Sequence, residues 1–233
     1  MAEVKGSVAL VAGASSNIGR AITVALIEAG AALVFALGRN ATRLEEIAAG
    51  SPGRIKPVIA DLTQGIEAVR ESMLGQNRLD LLVLGSGIYE RSRDPSSLAR
   101  QLAANVQGPY ALLDAMLPLL ISSKGLIVFV NSTQGLGASP GLGSYAATQH
   151  AMRALADSTR EEFNAKGIRV TSVFLGRTAT ARQEAIFALE RRPYRREVLI
   201  QPADVAGVVV ALLGLPETAE ITELKMRPRI KSY

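Results

Sequence analysis

Short apolar runs alternate with amphipathic stretches along the whole chain, and the alternation predicts the fold. Ser7–Ala12, Ala32–Leu37, Arg54–Ile59, Leu79–Leu84, Leu126–Asn131, Ile168–Phe174 and Glu220–Met226 read as strands. Helical spacing of apolar residues falls between them, over Ile18–Ala29, Thr42–Ala49, Gln64–Leu74, a stretch from about Ser97 to Ser122, Tyr145–Ala165 and Ala203–Leu213. Gly30 closes the first helix as its C-terminal cap. Thr42 stands where an N-cap would open the second. Pro109 and Pro118 interrupt the long stretch, so a kink or break is expected near Asn105–Pro109. The strands are apolar throughout rather than alternating, which implies burial on both faces. The pattern therefore predicts an α/β fold: a doubly wound, Rossmann-like parallel sheet of about seven strands with helices on both faces. No linker, repeat or low-complexity tract divides the chain, so residues 1–233 read as one domain.

Composition narrows the function classes. With 48% hydrophobic and 20% charged residues, the chain can bury one substantial core. It contains no cysteine, which removes disulfides and thiolate metal sites and suits a reducing, cytoplasmic setting. A single histidine, His150, makes a histidine-rich metal site impossible, so no metal is expected. Val8–Ala12 is too short for a signal or anchor segment, and no run reaches the ~20 apolar residues that span a bilayer. A net charge of +5 raises nucleic acid as a partner, but aromatics are 4% and tryptophan is absent, so bases would find little to stack on. Neither nucleic acid nor membrane is expected. Basic residues concentrate only in Arg177–Arg196, where Arg177, Arg182, Arg191, Arg192, Arg195 and Arg196 face Glu184 and Glu190. That segment reads as a solvated lid face or as a site for an anionic substrate, carrier or membrane surface.

Chemistry enters at the first strand–helix junction. Gly13-Ala14-Ser15-Ser16-Asn17-Ile18-Gly19 would let backbone N–H groups approach a pyrophosphate at a helix N-terminus. Asn17 stands where another glycine would be more permissive, and asparagine tolerates left-handed backbone better than most residues. Gly38-Arg39-Asn40 ends the second strand without the acidic residue that would repel a ribose 2′-phosphate. Gly38 leaves room for that phosphate and Arg39 can pair with it, which favours NADP(H) over NAD(H). Asp61-Leu62 can contact the adenine edge or simply open a helix.

A second constellation lies further along. Ser132 precedes Tyr145 by thirteen residues, and Gln149 follows it by four. If Tyr145 opens a helix, position 149 lies on the same face one turn on. A cation there would lower the phenol's pKa by roughly 1–3, each step worth about 1.4 kcal/mol. Gln149 carries no charge, so tyrosinate is scarce at neutral pH while the neutral phenol can still donate a proton. The expected rate loss is about ten- to a thousandfold. His150 cannot replace the cation, because i+5 points elsewhere; it reads as a surface or interface residue.

These pieces resemble the short-chain dehydrogenase/reductase family over essentially the whole chain. The resemblance rests on Gly13, Gly19, Asp61, Asn105 within Asn105-Val106-Gln107-Gly108, Ser132 within Asn131-Ser132-Thr133, and Tyr145. It implies that Ser132 and Tyr145 position and protonate a substrate carbonyl oxygen and that Asn105 anchors a water relay. Gln149, in place of the family lysine, is left to hold the nicotinamide ribose. Cofactor contacts would come from Gly13, Ser15, Ser16, Asn17, Ile18, Gly19, Gly38, Arg39, Asn40, Asp61, Leu62, Gly85 and Gln149. Besides Gln149, the chain departs from the family pattern at Ala12, at Leu84-Gly85-Ser86-Gly87 and at Leu175-Gly176. The implied protein is an NADP(H)-dependent reductase of a carbonyl or alcohol substrate, anionic or carrier-bound if the arginines bind it. A lid near 178–200 and a homodimer or homotetramer assembled through the Tyr145 helix and the Pro109–Ser122 helix are also implied. Two other readings stay open: a cofactor-binding sensor, scaffold or partner subunit, and a non-redox reaction on the same fold.

Overall fold

The computed structural model describes residues 4–230. In chain order its elements are β1 (Val8–Ala12), α1 (Asn17–Glu28), β2 (Leu33–Gly38), α2 (Ala41–Ala49), β3 (Ile55–Ile59), α3 (Glu67–Ser72), β4 (Leu81–Leu84), α4 (Pro95–Leu102), α5 (Gly108–Ser123), β5 (Leu126–Ser132), α6 (Gly143–Phe163), β6 (Arg169–Leu175), α7 (Ala181–Leu189), α8 (Pro202–Leu213) and β7 (Glu223–Met226). The strands form one seven-stranded sheet in the order β3-β2-β1-β4-β5-β6-β7, every pair parallel. Strand order reverses between β1 and β4, and the crevice beyond their carboxyl ends is where such sheets bind ligands.

The period-two alternation of strand side chains divides the core into two layers. From β1, Ala9 and Val11 join Ile22 and Leu26 of α1, Leu44 of α2 and Val209 of α8. Leu10 and Ala12 point the other way, into a cluster with Val69 of α3, Leu112 and Met116 of α5, and Met152 of α6. Each fully buried leucine contributes about 1.5–3 kcal/mol, so both helix layers are held by the same strands. Among the described residues no helix is long and apolar enough to cross a membrane.

Several local expectations are corrected. The two edge strands are not apolar throughout: Lys56 and Pro57 of β3 are exposed, as are Glu223 and Lys225 of β7, because only one side of each is covered. Asn40, not Thr42, caps α2, its side-chain oxygen accepting from the Arg43 N–H at 3.0 Å. The helix expected over Gln64–Leu74 shrinks to α3, because Asp61 folds back onto the Thr63 N–H and Gly65 takes φ +126°. The long stretch does change course near Asn105, where Ala103–Gln107 forms a π-helical turn between α4 and α5. Pro118 does not interrupt α5. It and Asp114, whose carbonyl loses its partner, both lie on the exposed side, where water can satisfy the freed oxygen.

Candidate active site

The carboxyl ends of β1, β2, β4, β5 and β6 open into one cavity of about 780 Å³, lined by every catalytic and cofactor-binding candidate named from the sequence and, of the 177–196 arginines, by Arg177 and Arg182. The glycine turn forms one wall. Gly13 sits at φ +88°, and a Cβ there would lie 2.6 Å from the Gly85 carbonyl oxygen. A Cβ on Gly19 would collide with the Gly13 carbonyl, so the turn and helix meet backbone to backbone. Gly19→Ala is expected to cost about 1–3 kcal/mol of stability and to weaken cofactor binding, read by chemical denaturation and nucleotide titration. Ser16 caps α1 by accepting from the Gly19 N–H at 3.1 Å. Asn17 is not left-handed: it is the first residue of α1, and its side-chain oxygen accepts from the Ala181 N–H at 3.2 Å. It thereby ties the glycine turn to α7.

At the β2 end, a Cβ on Gly38 would lie 2.6 Å from Ser15 Oγ, so glycine keeps this corner open. Arg39 reaches Asp61 at 3.6 Å, with its side chain 63% exposed. The Asp61 carboxyl is held below its ordinary value by the Thr63 N–H first and by Arg39 to a lesser degree. Arg43, in the first turn of α2, lines the same corner. The sequence alone does not point to it, because Arg39 precedes the Asn40 cap and shares no helical face with Arg43. Deeper in, Ser86 Oγ is buried and has no hydrogen-bond partner. An open glycine cradle, two arginines at one corner and an unpaired buried hydroxyl all fit a phosphate-rich dinucleotide.

At the other end, β5 delivers Ser132 and the first turn of α6 delivers Tyr145. Burial pushes the Tyr145 phenol above its ordinary value, while the Arg182 guanidinium and the Ser132 hydroxyl pull it down. Tyr89, on the loop after β4, packs edge-on against Tyr145 with ring centroids 5.0 Å apart and pushes the phenol up slightly. Gln149 is buried on the face predicted for it, with its Nε2 3.5 Å from Thr148 Oγ1. Asn105 projects from the π-helical turn, a distortion that often marks functional sites. Its side-chain oxygen accepts from the Ile88 N–H at 2.7 Å, and its nitrogen donates to the Ile88 carbonyl and Thr148 Oγ1, each at 3.0 Å. His150 is exposed and bonds only locally, at 2.9 Å from the Ala146 carbonyl.

Residues 177–200 form a small unit of their own, in which Ala179, Phe187 and Leu199 cluster. Thr178 and Ile200 form a parallel bridge at its base, and α7, capped by Thr180, lines the cavity with Ala181, Arg182, Gln183 and Ile186. Its arginines do not form a single face. Arg182 crosses the opening and donates to the Gly87 carbonyl at 2.7 Å, Arg177 pairs with Glu190 at 2.8 Å, and Arg195 pairs with Glu197 at 3.1 Å. Tyr89 lies in no periodic pattern that points to the cavity and is not legible as a site residue in the sequence, where Arg182 stands out only as one arginine of the 177–196 cluster.

The family model described as short chain dehydrogenase matches residues 7–191. The chain belongs to the short-chain dehydrogenase/reductase family, a family of oxidoreductases. Among its relatives in that family, an uncharacterized oxidoreductase of Staphylococcus epidermidis is 31% identical over 236 residues, covering 98% of this chain and 100% of the relative. A short-chain dehydrogenase of Burkholderia cenocepacia, solved in complex with NADP, superposes with a TM-score of 0.82 at 25% identity, covering 96% of this chain and 89% of that one. The closed form of a serine dehydrogenase with NADP+ superposes at 0.86 with 24% identity, over 97% and 96% of the two chains, a likeness of fold.

Proposed function

We propose that this short-chain dehydrogenase/reductase reduces carbonyl compounds with NADPH, Tyr145 giving a proton to the carbonyl oxygen. One observation carries the reading: the Tyr145 phenol and the Ser132 hydroxyl line the same cavity as the glycine turn. The bound dinucleotide supplies the two electrons and the hydrogen delivered to carbon. Ser132 donates a hydrogen bond to the carbonyl oxygen and holds it beside the phenol. As negative charge develops on that oxygen, Tyr145 passes its proton across, and the carbonyl becomes an alcohol. The tyrosinate left behind is disfavoured by burial, and Arg182 offsets part of that cost in the role that a lysine at position 149 would have had. Because burial keeps the phenol protonated, reduction is favoured over oxidation near neutral pH. Gln149 holds the ribose through its amide. Asn105, its amide engaged by Ile88 and Thr148, positions the loop after β4 against α6 and with it Tyr89.

NADPH is preferred over NADH in this reading because Gly38 leaves room and Arg39 and Arg43 flank it. The exposed Arg39–Asp61 pair is worth about 0–1 kcal/mol, so a 2′-phosphate readily takes Arg39 from it. Fluorescence titration should give NADPH a several-fold lower Kd than NADH, and Arg39→Asp should reverse the order. Equal affinities in the unmodified protein would sink the assignment. The function itself is tested by NADPH oxidation against a broad carbonyl panel. Retained cofactor binding with no turnover of any carbonyl would favour the sensor reading that Gln149 invites. A homodimer or homotetramer is proposed through the outer faces of α5 and α6, where Tyr110, Leu117, Leu155 and Phe163 line a shallow groove; light scattering tests it.

A further inference from the structure

Glu190, at the end of α7, is the meeting point of three guanidinium groups. Arg177 lies 2.8 Å from its carboxylate, Arg192 3.7 Å and Arg91 4.0 Å. Among the described residues, all three approach this one carboxylate. The cluster is held in place rather than draped over the surface. Arg177 stacks on the buried Phe187 ring at 4.6 Å and Arg192 approaches the same ring at 5.5 Å. The Arg177 backbone is fixed by the Ile200 N–H bonded to its carbonyl. Glu190 occupies Arg177 Nη2, while Nη1 is buried with no hydrogen-bond partner. A buried, unsatisfied donor on a charged group is costly and is ordinarily found paired. Arg177, Glu190, Tyr89 and Tyr145 all line the same cavity. Tyr89 packs against Tyr145, and its own phenol feels Arg91, Glu190 and Arg177. Tyr89 thus links the two centres, its ring against Tyr145 and its hydroxyl within the field of the cluster.

We propose that Arg177, backed by Arg91 and Arg192 around Glu190, is a carboxylate-binding subsite, and that the substrates are oxo acids held there while their carbonyl meets Tyr145 and Ser132. The substrate assignment rests on the reductase reading above; the subsite does not. A carboxylate suits the position because Glu190 already shows one seated against the same guanidinium, and an arginine fork matches two carboxylate oxygens. Glu190 both positions the arginines and competes with the incoming anion. Phe187 supplies the apolar shelf that keeps the fork from turning toward solvent.

Two measurements test this. Turnover with NADPH is compared for 3-oxobutanoate, 4-oxopentanoate and 5-oxohexanoate against their methyl esters. At least one acid should show a KM lower than its ester by about tenfold or more, and Arg177→Leu should bring that ratio close to one. Calorimetry then measures succinate and dimethyl succinate binding to the complex with NADP+. Succinate should bind and the ester should not, and Arg177→Leu should weaken succinate by about tenfold or more. Glu190→Gln should tighten it several-fold, a gain that misfolding cannot mimic. Esters used as well as all three acids, or succinate bound equally by the Arg177→Leu protein, would overturn the subsite while leaving the reductase reading intact. If no carbonyl is reduced yet succinate binds through Arg177, the subsite stands and the reductase reading falls.

Discussion

Tyr145→Phe is expected to lower carbonyl reduction by about a hundred- to ten-thousandfold, the usual contribution of a positioned proton donor. NADPH affinity should change little, because the hydroxyl acts on the reacting oxygen rather than on the dinucleotide. The ring itself should stay in place: the edge-on contact with Tyr89 uses aromatic carbons that phenylalanine retains. A fall in kcat at nearly constant cofactor Kd, read by stopped-flow absorbance and fluorescence titration, is the expected signature. Activity that survives the substitution would refute Tyr145 as the donor.

The second large effect concerns the cation. Reduction needs the protonated phenol, so activity falls as pH rises through its pKa. Burial raises that pKa, which puts the basic limb of the profile above the ordinary tyrosine range. Arg182 opposes burial, so Arg182→Gln should move the limb to still higher pH and cut turnover by about ten- to a hundredfold, the weaker acid giving its proton less readily. Arg182→Lys keeps the charge and should recover most of the loss. Gln149→Lys should shift the limb the other way, to lower pH, and raise turnover. Its gain should be larger in the Arg182→Gln background than in the unmodified chain, since the two cations serve the same phenol. Additive effects, with the limb unmoved by either change, would show that Arg182 does nothing more than close the cavity.

Much of this molecule is written in local pattern. Apolar strands spaced by amphipathic helices specify a parallel sheet covered on both faces, because no other arrangement buries both sides of such strands. The Gly13–Gly19 turn, Ser132, Tyr145 and the absence of a lysine at position 149 could likewise be read one element at a time. Each follows from a strand end or a fixed helical offset. Fine boundaries were less readable: whether Asn40 or Thr42 caps α2, and whether Pro118 breaks α5, depends on which atoms find partners or water after packing.

Assembly across long sequence separations is what the folded chain adds. Arg182 meets the Gly87 carbonyl, Asn17 meets Ala181, Tyr89 meets Tyr145, and Arg91 joins Arg177 and Arg192 around Glu190. None of these pairs has a periodic spacing, and the arginines of 177–196 look equivalent until the backbone turns some toward the cavity and leaves others facing solvent. The sheet could be read in advance because hydrophobic burial acts on repeating patterns. The charge environment of the phenol could not, because electrostatics depends on distance in space, and loops fix that distance without leaving a period in the chain.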